Sequence, residues 1–133
     1  MRLLRKIKVR LLKSGMSQDI IWTKHSQAKM RFYKLSEQRV RRVLNSPKRT
    51  EEGIAPNTAA MMQPASIKTK DGKQIWSQEI WVMVQEKRQG KSDKGKVIKI
   101  ISAWRYPGRT KPGEPLPEEI LREMRNTIPN LTD

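Results

Sequence analysis

Apolar positions in this chain change period once, near Pro47. Between Trp22 and Pro47 they recur at helical spacing. Thr23 can cap a helix over Lys24–Tyr33, in which Ala28 and Phe32 fall four apart and His25 and Lys29 fall four apart on the neighbouring face. Ser36 is a good cap for a second helix, with Glu37 in its first turn and Val40, Val43 and Leu44 as its apolar stripe. Asn45-Ser46-Pro47 stops it, because proline removes a backbone donor and restricts the residue before it.

Beyond Pro47 the pattern is that of strands. Arg49–Ile54 reads as one, Ala55-Pro56-Asn57 as a turn, and Ala59–Ile67 as a weaker strand that Pro64 confines to an edge or bulge. Lys70-Asp71-Gly72-Lys73 is a strong hairpin signal, since Asp-Gly supplies the positive φ angles of a tight turn. Gln74–Gln85 carries Trp76, Ile80, Val82 and Val84, and its run IWVMV predicts burial on both faces. A polar stretch over Glu86–Lys96 leads to a last strand over Val97–Trp104. Four prolines make Tyr106–Pro117 an extended tail, and Glu118–Arg125 predicts a short helix with Ile120, Leu121 and Met124 inward. The first residues are ambiguous. Leu3, Leu4, Ile7 and Leu11 share a helical face, yet Ile7 to Leu11 also alternates, and an edge strand over Lys6–Leu12 is the reading adopted. Asp19-Ile20-Ile21-Trp22 is a short apolar lead into the first helix. The expected fold is α+β: two N-terminal helices packed on one face of a small antiparallel sheet, with a short C-terminal helix. The expected division is a basic arm at 1–15, the α+β domain at 16–106 and a Pro-rich tail at 107–133.

The chain of 133 residues fits one domain with a single core. Its 29 Lys and Arg against 13 Asp and Glu give a formal charge of +16, a field that attracts polyanions. The charge is uneven, because the first fifty residues hold fifteen basic side chains and two acidic ones, Asp19 and Glu37. With no cysteine there is neither a disulfide nor a thiolate metal site. No apolar run approaches the roughly 18 residues of a membrane span, and charges interrupt the h-region a signal peptide requires, so a cytoplasmic protein with no membrane partner is expected.

No metal or cofactor is expected. One histidine and scattered carboxylates provide no ligand spacing, and the separated glycines form no phosphate loop. Metal-free RNA cleavage needs less: a base for the ribose 2′-hydroxyl, cations for the phosphorane and an acid for the leaving 5′-oxygen. The candidates are His25 as base or acid, Lys24, Lys29, Arg31 or Arg105 as the charge clamp, and Tyr33 or Tyr106 as the other proton carrier. A lone histidine at a helix start also serves as a cap or packing residue, and both readings stand. Lys24, Arg39, Arg41, Arg42, Lys48 and Arg49 are the candidate phosphate contacts, against the plainer reading of a solvated charged face. The tryptophans at 22, 76, 81 and 104 read as core before they read as base-stacking platforms.

The segment from Ile20 to Arg105 resembles the BrnT and RelE toxins and the related domain-of-unknown-function family numbered 4258. The likeness is carried by His25, Lys29-Met30, Leu35-Ser36, the run Val40-Arg41-Arg42-Val43-Leu44-Asn45-Ser46-Pro47, and the final Ile100-Ile101-Ser102-Ala103-Trp104-Arg105. Lys29 and Tyr33 stand where arginines are common in that family. The resemblance implies a RelE-like fold and a toxin-type, metal-independent endoribonuclease. It also implies two partners, RNA (free or on the ribosome) and an acidic antitoxin covering the basic face.

Overall fold

A computed structural model describes residues 19–53, 55–88, 96–112 and 116–127. The expected edge strand over Lys6–Leu12 lies outside them. The elements run β1 (Asp19–Trp22), α1 (Lys24–Tyr33), α2 (Glu37–Asn45), β2 (Arg49–Glu52), β3 (Thr58–Pro64), β4 (Lys68–Lys70), β5 (Lys73–Ile75), β6 (Glu79–Arg88), β7 (Lys96–Tyr106) and α3 (Glu118–Thr127).

Five strands form one mixed sheet in the order β1-β7-β6-β3-β2, and β4-β5 is a separate two-stranded ribbon. This corrects the expected fold of two N-terminal helices on a small antiparallel sheet. The apolar lead Asp19–Trp22 is itself an edge strand, paired parallel to β7 from Asp19↔Val97 to Trp22↔Ile100. Helices cover both faces. On one, Met30, Leu35, Val40, Val43 and Leu44 pack against Ala59, Met61, Ile80, Val82 and Val84. On the other, Ile120 and Met124 of α3 pack against Ala60, Met62, Trp81, Met83 and Trp104. Strict alternation along β3 and β6 sends neighbouring side chains to opposite cores. The sheet needs a layer on each side, and a run such as IWVMV can be buried throughout. A register shift at Met83/Val84 places Ile101 as an extra residue in β7, with Ser102 opposite Met83 and Ile100 opposite Val84.

That bulge anchors the first helix. Thr23 ends β1, and its hydroxyl donates to the Ile100 carbonyl (2.7 Å) while accepting from the Ser26 amide (3.0 Å). α1 then runs alongside β7, where β1 would have continued. Its buried residues are therefore Ser26 and Met30, with Tyr33 packed partly against both cores. The face that carries Ala28 and Phe32 is turned outward, and Phe32 is 76% exposed. α2 follows its expected pattern, with Ser36 accepting from the Arg39 amide and Val40, Val43 and Leu44 fully buried. Each of those three side chains stabilises the fold by about 1.5–3 kcal/mol.

β3 is an inner strand, paired with β2 and β6, and Pro64 is its last residue rather than the mark of an edge. The expected long strand over Gln74–Gln85 is broken. Asp71 (φ 52°) and Gly72 (φ 77°) form the tight turn of the β4–β5 ribbon, whereas Trp76, Ser77 and Gln78 connect that ribbon to β6. Among the described residues, no helix is long and apolar enough to cross a membrane.

Candidate nucleic-acid interface

β3 ends, β6 begins and β7 ends at one end of the main sheet, where Pro64, Glu79 and Tyr106 lie in register. The β4–β5 ribbon projects from this end because it is inserted between Pro64 and Glu79. Residues 68–75 are exposed, so Lys68, Lys70 and Lys73 are held out in solvent. Lys48, just before β2, reaches the ribbon through a hydrogen bond from its Nζ to Gln74 Oε1 (2.8 Å). Its ammonium also lies 5.6 Å from the centre of the Trp76 ring, and the Arg109 guanidinium lies 3.8 Å from the same ring.

Trp76 is fixed from beneath by Glu79. The fully buried Glu79 carboxylate accepts from Trp76 Nε1 (2.9 Å), Trp81 Nε1 (3.1 Å), the Thr110 amide (3.0 Å) and the Thr110 hydroxyl (2.8 Å). One carboxylate thus ties the chain after β7 to the start of β6 and sets the positions of Trp76 and Arg109. Its acceptor capacity is taken up by this network, and among the described residues it forms no ion pair with the exposed cations around it.

One step inward, Gln63, Ile80 and Arg105 lie in register across three strands on the face beneath α2. Arg39 extends from the first turn of α2 over this row and donates to Gln63 Oε1 and to the Pro64 carbonyl (2.9 Å). Arg105 donates to the Tyr33 carbonyl at the end of α1 (3.1 Å). Burial first, then the charges of Arg42 and Arg105, hold Arg39 below the ordinary arginine range.

The other sequence-derived candidates disperse. His25 and Lys29 lie on the flank of α1 that faces α3. There His25 Nε2 is 3.8 Å and Lys29 Nζ 3.0 Å from the Glu123 carboxylate, which also accepts from Ser102 Oγ (3.0 Å). His25 precedes Tyr33, whose carbonyl holds Arg105, by eight residues, or about 12 Å of helix. His25 and Arg105 therefore do not share a site in this arrangement. Arg31 is exposed on α1, and Lys24 is exposed beside Ile21 and Trp22. Arg41 lies over the Trp22 ring at 5.6 Å. Arg49 is nearly buried over Trp81, paired with Glu51 and bonded to Thr110, so it faces the protein interior. Tyr106 packs partly against the α3-side core. Of the tryptophans, Trp81 and Trp104 are core, whereas Trp22 and Trp76 are half-buried.

Sequence reasoning did not single out Lys68, Lys70, Lys73, Trp76, Arg109 or Gln63 as one surface. The lysines around Asp-Gly were a visible signal, being bound to be exposed on any tight ribbon. The union of Gln63 with Arg105 depended on strand register, which no local pattern shows. Among the described residues no group of three or more His, Cys, Asp or Glu is placed to hold a metal ion. Comparison of the chain with protein-family models, with curated proteins and with solved structures finds no match.

Proposed function

We propose that this protein binds nucleic acid through the basic end of its sheet, gripping the phosphate backbone without cutting it. The observation that carries this reading is the collection there of Lys48, Lys68, Lys70, Lys73, Arg105 and Arg109. Among the described residues, the carboxylates near it are Asp71 at the ribbon tip, the exposed Glu37 at the start of α2, Glu51 paired with Arg49, and Glu79 buried under Trp76. Clustered cations raise the local potential more than the same charges spread evenly, and each phosphate contact releases condensed counterions. RNA is preferred over DNA because of the motif likeness to BrnT- and RelE-type toxins, and an acidic protein would cover the same end. The test is binding of a labelled single-stranded oligoribonucleotide across a salt series. Affinity should fall linearly in log–log form, by about 0.7 per phosphate contacted. Affinity unchanged by salt would contradict the reading.

A second reading, a toxin-type metal-independent endoribonuclease, draws on His25 lying 3.8 Å from the Glu123 carboxylate that Lys29 pairs with, a histidine beside charged groups as general acid–base chemistry requires. Incubating labelled RNA in chelator with wild type and with His25→Ala separates the two. Intact RNA supports binding alone, and cleavage lost on His25→Ala would favour the enzyme.

A further inference from the structure

Arg39 occupies an unfavourable electrostatic position. It is half-buried, it stands with Arg42 and Arg105, and it sits in the first turn of α2, where the helix dipole already presents positive charge. Among the described residues none of the three arginines is paired with a carboxylate. Glu37 is two positions from Arg39, a spacing that points to a different side of the helix, and it is exposed. The neutral acceptors on hand are Gln63 Oε1 and the Pro64 carbonyl for Arg39 and the Tyr33 carbonyl for Arg105. They fix the two guanidinium groups but do not compensate their charge. A guanidinium offers five N–H donors in a planar fork, so both arginines keep donors to spare. Gln63 and Arg105 flank Ile80 and are about 10 Å apart across the sheet, with Arg39 above them. The two arginines thus stand on either side of the buried Ile80, with the exposed Arg42 one helical turn from Arg39.

We propose that Arg39 and Arg105, with Arg42 at the rim, form a subsite for a phosphate dianion, supplied by the phosphorylated end of a nucleic-acid strand whose backbone runs over the β4–β5 ribbon. This rests on the nucleic-acid reading above and narrows it to strand ends. An internal phosphodiester carries one negative charge, whereas a terminal phosphomonoester carries nearly two at neutral pH and offers three acceptor oxygens to the spare donors. Two forks fixed in advance suit bidentate contact, which a lysine cannot reproduce.

The test is competition against an internally labelled oligoribonucleotide at near-physiological salt. Unlabelled competitors are the same strand with a 5′-phosphate, with a 3′-phosphate and with hydroxyls at both ends, alongside a mononucleotide and inorganic phosphate. The proteins are wild type, Arg39→Lys and Arg105→Lys, each with its melting temperature. One phosphorylated strand should compete about tenfold better than the hydroxyl-ended strand, and either substitution should erase that margin, so that phosphorylated and hydroxyl-ended strands compete equally for each variant. Should Arg39→Lys melt early, Arg105→Lys decides, since Arg105 contributes only its bond to Tyr33. Equal competition by all three strands overturns the strand-end subsite and leaves backbone binding standing. Inorganic phosphate or the mononucleotide competing as well as the phosphorylated strand overturns it in favour of a small-phosphate site. Absence of binding by any strand removes both readings together.

Discussion

Replacing Glu79 tests whether one buried carboxylate holds the basic end together. In Glu79→Ala, the indole N–H groups of Trp76 and Trp81 and the amide of Thr110 lose their acceptor, while the Thr110 hydroxyl can rotate to another partner. Trp81 and Thr110 are buried, so two donors are stranded, at about 1–3 kcal/mol each. Trp76 is half-buried and recovers part of its bond from water. The truncated side chain leaves space in a fully buried position, which adds to the loss, whereas removing a desolvated charge works the other way. The net expectation is a loss of about 3 kcal/mol, or roughly 10 °C in melting temperature for a chain of this size. Glu79→Gln keeps one acceptor but sets an amide NH2 against N–H donors, and should lose less. Urea unfolding followed by tryptophan fluorescence measures both, and hydrogen exchange at Thr110 should speed up in the alanine variant as its segment detaches. A loss below about 1 kcal/mol, or equal losses in the two variants, would refute this account of the network.

Three other outcomes follow from the packing. Met30→Ala should destabilise by about 2–5 kcal/mol and Phe32→Ala by less than about 0.5 kcal/mol, since Met30 is in the core and Phe32 is 76% exposed; parallel melts check the order. Gly53→Ala should destabilise by about 1–3 kcal/mol in the same assay, because its new Cβ would clash with the Thr58 side chain at the β2–β3 turn. Ser36→Ala should lose about 1 kcal/mol with the cap of α2, measured as a shift in the urea midpoint at constant slope.

What could be read in advance was local. Thr23 and Ser36 announce helix starts by the same hydroxyl-to-amide bond the structure shows, and Asp71-Gly72 names its own turn. What could not be read was set by distant partners. Asp19–Trp22 is too short to show a strand period, and its parallel pairing with β7 depends on residues nearly eighty positions away. That pairing fixes which side of α1 is buried, which the spacing of Ala28 and Phe32 could not show. Continuous burial of Trp81 to Val84 was legible as two-faced, yet the second layer comes from α3, whose apolar face of Ile120 and Met124 was legible but gave no address on the sheet. The candidate site divides likewise. Arg39, Arg42 and Arg105 each stood out as basic, but their meeting is a consequence of register and helix placement. His25 stood out by being alone in the sequence, and the structure seats it beside Glu123 of α3, on a different flank from the arginines.

The most direct test of nucleic-acid binding at the basic end compares two variants of equal charge change. One removes Lys68, Lys70 and Lys73 from the ribbon by substitution with Gln. The other replaces Lys24, Lys87 and Arg122 with Gln, all exposed and none of them on the ribbon. Affinity for a single-stranded oligoribonucleotide is measured for both and for wild type across a salt series. The ribbon variant should lose affinity and about two units of salt slope, with the control variant close to wild type. Equal losses in the two variants would mean that net charge alone draws the nucleic acid, and would contradict a binding surface at this end of the sheet.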